Sequence, residues 1–389
     1  MRVAILIVVI GLMLVSCGGA SQEPGVGTTS DFGSTSTLSA SGSTDGDGGP
    51  DTSIPASGAS QECASGEVCE TEFMLDEMPL GGGELEEIAI SGGTAYVTDD
   101  AGAVVVVDLG SRSLEATYSL DAMAIDVAVW GDEVWVLTLD GPARLDPASG
   151  LLSNQGLLPS QGGGSHLAVG ENAVWVTTNG TGEVTGFDKT TGEVIGSVTA
   201  YENLSASGNA RVAMAGGRVW SVDEYGGRVL EIDPATLTIV DTFEDLGFEA
   251  AESGGSTSIL APGPVSLTGT ESDVWVLSNL ANPEGEFVTG VGAVFHIDVA
   301  SGAEEKAFDL VGDPEPGSSF VVGDEAIWYL ELTSNDLIRV DRATGLQHRL
   351  RAGYTGGNGL AMGDGVVWMT GGASLFSADV HDAAEMMSR

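Results

Sequence analysis

The stretch Leu167-Ala168-Val169-Gly170-Glu171-Asn172-Ala173-Val174-Trp175-Val176, continued by Glu183-Val184-Thr185-Gly186-Phe187-Asp188-Lys189-Thr190-Thr191-Gly192, decides the fold. Small apolar residues lead into a turn, and an aromatic follows inside a β-branched run. After a second turn another apolar run ends on Asp. The same order recurs around Tyr96, Trp135, Trp175, Trp220, Trp275, Trp328 and Trp368, at spacings of 39, 40, 45, 55, 53 and 40 residues. Strand-type units repeating near 40–45 residues are the signature of a β-propeller, one four-stranded blade per repeat. The chain is therefore expected to be all-β, a seven-bladed β-propeller of antiparallel blades spanning residues 63–389.

Aligned on the aromatic, the innermost strand of each blade reads Ile88-Ala89-Ile90, Val127-Ala128-Val129, Leu167-Ala168-Val169 and Val212-Ala213-Met214, and then Val265-Ser266-Leu267, Phe320-Val321-Val322 and Leu360-Ala361-Met362. Small central residues suit the crowded strand next to the axis. Hairpin glycines follow, as in Gly92-Gly93 and Gly216-Gly217, because tight hairpins need a positive φ. The third strand ends at Asp108, Asp146, Asp188, Asp233, Asp298, Asp341 and Asp379. Four of these open Asp-x-x-Ser/Thr-Gly, in which the carboxylate accepts nearby backbone N–H groups and the Gly takes the left-handed position. The Asp column reads as turn residues, with calcium ligation as the alternative, and the aromatic column as core between blades.

The seventh repeat has strands at Leu360, Trp368 and Ser374–Ala378, but its tail Ala383-Ala384-Glu385-Met386-Met387 prefers helix. The segment 72–78 (Glu-Phe-Met-Leu-Asp-Glu-Met) is similar to an outer strand. It is predicted to pair antiparallel with 374–379 and close the ring, since an open edge templates aggregation.

The first sixteen residues are read as a signal peptide. Arg2 precedes an apolar run from Ala4 to Val15, which is too short to span a bilayer and fits a secretory signal. Leu14-Val15-Ser16-Cys17 resembles the bacterial lipobox, and that resemblance implies cleavage before Cys17 and its lipidation. The chain is expected to be exported and anchored through Cys17 to the cell envelope, at the outer membrane if the cell is Gram-negative. Residues 17–62 are the lipidated Cys and a flexible tether: 26 of residues 18–62 are Gly, Ser or Thr, too little apolar surface to drive folding. Cys63 and Cys69, in an exported chain, are expected to form a disulfide.

The chain carries 57 acidic against 13 basic residues, a formal net charge of −44. This excludes nucleic acid as a partner and electrostatic docking to an anionic bilayer. Solubility through self-repulsion is the simplest use of the charge. A monomer is expected.

The pattern from the aromatic through Asp-x-x-Thr-Gly, with Asn179 to Val194 as its clearest copy, resembles YVTN/NHL-type propellers over about residues 72–380. Virginiamycin B lyases are similar in blade pattern, and that resemblance implies channel-mouth His and Glu acting with a metal. Their His pair is not recognisable here. No P-loop, dinucleotide fingerprint or nucleophile elbow appears.

One column could carry chemistry. The residue just before the inner strand is Glu87, Asp126, His166, Arg211, Pro264, Ser319 and Gly359 in the seven repeats. Glu87, Asp126, His166 and Arg211 would enter the axial channel from consecutive blades. They could bind a polar ligand or a divalent metal, run acid–base chemistry, or simply pair with one another. No cofactor is evident beyond that divalent metal. The fifth blade has a long connection, Asn279–Gly292, and Gly247–Pro262 leads into it. Strand order puts both on the face of the charged column. The primary expectation is a non-catalytic propeller that binds a small polar ligand or a protein. A metal-dependent lyase or lactonase, and an outer-membrane assembly scaffold, are the alternatives.

Overall fold

The structure, a computed structural model, describes residues 68–71, 75–158, 164–178, 181–200, 211–223, 227–244, 246, 263–281, 287–311, 314, 318–331, 334–351 and 359–380. The chain divides into Met1–Ser57 and Gly58–Arg389, and all described residues fall in the second unit. The expected signal peptide and lipidation site, the whole of the expected tether, Cys63 and the C-terminal tail lie outside them.

Among the described residues every regular element is a strand. The strands form seven antiparallel sheets of four, arranged as a seven-bladed β-propeller, with one further strand added to the sixth. In the third blade the strands are Gly164–Val169, Ala173–Thr178, Glu183–Asp188 and Val194–Thr199, named A to D outward from the axis. The A strands of the other blades begin at Leu85, Ala124, Val212, Gly263, Phe320 and Leu360. Successive A strands touch around the ring, and the last, Leu360–Gly363, packs against the first, Leu85–Ser91.

The aromatic column fills the interfaces between blades. Tyr96 packs with Val127, Val134 and Leu145 of the second blade. Trp135 packs with Leu167 and Val176 of the third, and Trp175 with Val219 and Leu230 of the fourth. Trp220, Trp275 and Trp328 repeat the contact, each against the following blade. Trp368 returns to Leu85 and Val97 of the first blade and seals the ring. All seven are buried. Fully burying a large apolar side chain is worth about 1.5–3 kcal/mol or more, so each period of the sequence supplies one interface. Gly186 sits opposite Trp175, and a Cβ there would lie 2.7 Å from the indole ring. That position therefore has to be glycine for the ring to lie flat on its strand.

The Asp column makes turns. Asp188 Oδ1 accepts N–H bonds from Thr190 (2.9 Å) and Thr191 (2.8 Å), and Gly192 N donates to Asp188 O (2.8 Å) at φ 73°. Asp146, Asp298 and Asp341 repeat the motif, with Gly150, Gly302 and Gly345 at φ 72°, 66° and 71°. Arg112 and Leu237 hold the same left-handed position in the first and fourth blades, at φ 54° and 56°.

Hydrogen bonds to the ionised carboxylate hold Asp108, Asp146, Asp188 and Asp298 below the usual carboxylate range. A depressed native pKa contributes stability above the unfolded value, and that contribution is lost as pH falls through the native one. The thermal midpoint should therefore hold steady from neutrality to about pH 5 and fall steeply below about pH 4. Replacing Asp188 and Asp298 with Asn should flatten that fall. Melting curves against pH check this, and a midpoint unchanged down to about pH 3 contradicts it.

The ring closes through the expected strand exchange between the N-terminal segment and the last blade. Asp76–Pro79, the described part of that segment and one residue beyond its expected end, pairs antiparallel with the last C strand, Ser374–Asp379, in the register Asp76↔Ser377 to Pro79↔Ser374. Residues 72–74 lie outside the described set. Pro79 has no N–H to donate, which an edge strand tolerates. A second feature has no precursor in the sequence reading: Val68–Thr71 adds parallel to Gln347–Arg351, giving the sixth blade a fifth strand. Cys69 lies on this strand and is buried. The segment leading into the closing strand therefore first covers the edge of the sixth blade.

The fifth blade also corrects an expectation. Asn279–Gly292 is largely a continuation of strands B and C, in which Asn279 pairs with Gly292 and Ala281 with Phe287. It is a hairpin arm rather than a loop. Gly247–Pro262 lies outside the described residues.

Candidate functional site

Glu87, Asp126, His166 and Arg211 meet at the axis. Strand A departs from regular pairing at its start in four blades, with register shifts between Leu85 and Ile88, Ala124 and Asp126, Gly164 and His166, and Pro264 and Ser266. An extra residue in one strand re-aims its side chains. Here the irregularity falls at the polar column.

In the first and third blades the backbone amide freed by it is taken up by the neighbouring B strand: Glu87 N donates to Thr98 Oγ1 (3.1 Å) and His166 N to Thr177 Oγ1 (3.2 Å). In the seventh blade, whose pairing is regular, Gly359 N makes the equivalent bond to Thr370 Oγ1 (2.9 Å). These threonines were missed in the sequence, although each stands two residues after the aromatic: Tyr96-Val97-Thr98, Trp175-Val176-Thr177 and Trp368-Met369-Thr370.

Two pairs organise the column. Asp126 ties the second blade to the third: Oδ1 accepts from Val127 N (2.7 Å) and Oδ2 from Leu167 N (2.9 Å). His166 Nδ1 stands 3.4 Å from Asp126 Oδ2, but without hydrogen-bond geometry.

Arg211 reaches furthest. From the fourth blade its guanidinium lies 3.2 Å from Glu87 Oε1 of the first and donates to Ser319 Oγ of the sixth at 3.0 Å. Two blades lie between the first and the fourth, so this side chain bars the axis. Glu87 and Arg211 are each 14% exposed, and Asp126 and His166 each 10%. Burial pushes the Glu87 carboxyl above its ordinary range, and Asp126 adds to the rise. Arg211 and His166 act against it. Pro264 and Gly359 bring no polar side chain to the ring.

The arm of the fifth blade sits at this same end. Gly263, the first residue of its A strand, pairs with Asn279, and Gly263 N donates to Asn279 Oδ1 at 2.8 Å. At the other end, between the A–B turns of the sixth and seventh blades, lies a cavity of about 210 Å³ lined by Asp324, Glu325, Trp328 and Met362 among others. Among the described residues that line it there is no basic or imidazole group.

The donor geometry disfavours a metal at the axis. Among the described residues no three of His, Cys, Asp and Glu are arranged to hold an ion. Two Asp126 oxygens are already aimed at backbone N–H groups, and Glu87 at a guanidinium. The alternative use of the Asp column fares no better, because the carboxylates of Asp108, Asp146, Asp188, Asp233, Asp298 and Asp341 close their own turns.

Few cations are left for partners. Arg144 pairs with Glu133, Arg218 with Glu231 and Asp233, Arg228 with Asp223, and Arg349 with Glu331. Lys189 pairs with Glu133 and lies 5.9 Å from the centroid of the exposed Trp130 ring. Arg112 and Arg342 lie over Trp368 and Trp275 of the preceding blades, at 5.3 and 4.8 Å. Lys189, Arg112 and Arg342 thus clip neighbouring blades together, whereas Arg144, Arg218, Arg228 and Arg349 pair within their own blade.

No family model and no curated protein matches this chain. Among solved structures it is similar to the computationally designed protein Ika8, with 12% identity and a TM-score of 0.53 over 79% of this chain and 98% of that one. It is also similar to an extracellular domain assigned to the hybrid two-component system BT4673 of B. thetaiotaomicron, with 14% identity and a TM-score of 0.55 over 80% of this chain and 43% of that one. At such identities the likeness concerns the fold.

Proposed function

We propose that this chain is an exported, lipid-anchored propeller of the bacterial cell envelope, of YVTN/NHL type, that binds a small polar ligand or a protein at the mouth of its axial channel without catalysis. The observation that carries the reading is the meeting of Glu87, Asp126, His166 and Arg211 at one end of the axis, beside the hairpin arm of the fifth blade. Long excursions on a rigid scaffold are where binding usually resides. Asp126 is occupied by two backbone N–H groups and Glu87 by Arg211, so neither carboxylate stands as a base. A lyase or lactonase would need a metal centre for which the described residues offer no donor set.

Anchoring rests on Leu14-Val15-Ser16-Cys17, and more than one acyl chain gives stable attachment. A Cys63–Cys69 bridge belongs to the same proposal, since export exposes both thiols to oxidation. The acidic surface keeps nucleic acid away.

Two measurements test this. Labelled palmitate should enter the full-length protein, and Cys17→Ser should abolish both label and membrane fractionation. If the variant still partitions with membranes as the parent does, the anchor is wrong. Native isolation from those membranes should yield a molecule bound in one-to-one ratio that is lost in His166→Ala. If nothing bound depends on the axial residues, the binding reading fails.

A further inference from the structure

We infer that the axial site takes a small carboxylate anion, which replaces Glu87 on the Arg211 guanidinium while Glu87 takes up a proton. The inference rests on the binding reading above and names the ligand class.

The argument is one of charge. Arg211 lies across the channel, mostly buried, held by Glu87 Oε1 at 3.2 Å and Ser319 Oγ at 3.0 Å. A guanidinium keeps its proton under all ordinary conditions, so the positive charge at the axis is permanent. The charged and titratable groups that face Glu87 from the other A strands are Arg211, Asp126 and His166.

A cationic guest would have to share this enclosure with Arg211, and no mobile cation is there to leave. A neutral guest would have to be bound without breaking the Glu87–Arg211 pair. An anionic guest can exchange one carboxylate for another. The guest takes the guanidinium and the Ser319 hydroxyl, a proton from solvent neutralises Glu87, and the charge of the site is unchanged. Burial already raises the affinity of Glu87 for that proton.

A separate observation points to a guest. The His166 side chain is 10% exposed, and its Nδ1 has no hydrogen-bond partner among the described residues. Buried polar atoms are nearly always satisfied. His166 Nδ1 is thus an atom that a ligand in this cluster can meet.

The test uses acetate and, as its opposite, ethylammonium. Each is titrated calorimetrically into the full-length protein at about pH 5.5, 6.5 and 7.5, in two buffers of different ionisation enthalpy. Acetate should bind one-to-one and take up close to one proton at the highest pH. Its affinity should fall up to tenfold per pH unit above the Glu87 pKa, as expected for one linked proton. Glu87→Gln, folding checked by circular dichroism, should bind acetate with no proton uptake and no pH dependence. The uncharged pair Glu87→Gln with Arg211→Met should not bind.

Binding of ethylammonium but not acetate overturns the inference. So does acetate binding without proton uptake, or unchanged pH dependence in Glu87→Gln. If acetate fails while a molecule still co-isolates in a His166-dependent way, the carboxylate assignment falls and the binding reading stands.

Discussion

Removing residues 68–80 should abolish cooperative folding of the propeller or lower its unfolding free energy by about 5 kcal/mol or more, close to the whole margin of a typical domain. The segment contributes at two places. Val68–Thr71 covers the outer edge of the sixth blade, and Asp76–Pro79 is the outer strand of the seventh. Met78 is buried against Leu85, Trp368 and Leu375, which is worth about 1.5–3 kcal/mol. Leu80 N donates to Ala373 O (3.0 Å) and Ser374 Oγ to Glu77 Oε1 (2.8 Å). Each such bond adds roughly 0.5–1.5 kcal/mol. Arg112 completes the clasp from the first blade, over the Trp368 ring and 3.5 Å from Asp76 Oδ2. Without the segment the seventh blade would expose an unpaired edge between the two ends of the ring. Deleting residues 18–57 should leave the urea midpoint almost unchanged. Equal losses for the two deletions would show that the ring does not depend on the exchanged strand.

What could be read in advance follows from where periodic physics operates. The aromatic column was legible because each interface between blades needs one large apolar side chain, and that need recurs once per repeat. The Asp turns were legible because their hydrogen bonds span only two to four residues. The closing strand was legible as a missing element, but its register was not: Glu72 to Pro79 offers apolar residues at several phases, and the choice among them is made by Ala361, Trp368 and Leu375, far away in sequence. Val68–Thr71 gave no signal at all. It is four residues long, pairs parallel, and is placed by the exposed edge of Gln347–Arg351 rather than by a pattern of its own.

At the site, the column of residues before each inner strand could be aligned, which located Glu87, Asp126, His166 and Arg211. Their pairing could not be read, because it depends on the irregular start of the strands and on Arg211 crossing to Glu87 and Ser319. Alignment gives the order of residues around the ring. It does not say which of them reaches across.

That crossing makes Arg211→Ala the most damaging single substitution expected at the axis. The variant leaves Glu87 enclosed beside Asp126 without its counter-charge. Removing one partner of a buried ion pair costs about 3–5 kcal/mol. The loss should depend on pH, with a sign set by Glu87. Its native pKa already lies above the ordinary value, and loss of Arg211 raises it further. A carboxyl with a raised native pKa destabilises the fold once pH exceeds the unfolded value, near 4.3, and the penalty grows until pH passes the native value. The deficit of Arg211→Ala should therefore be largest at about pH 7.5 and shrink toward about pH 5. Adding Glu87→Gln to Arg211→Ala removes the stranded charge and should recover more than half of the deficit at pH 7.5. Urea midpoints of the parent, both single variants and the double variant at the two pH values form a complete cycle. If the double variant is as unstable as Arg211→Ala, and both deficits are independent of pH, the bar across the channel is not an ion pair of energetic consequence, and Arg211 acts there by packing alone.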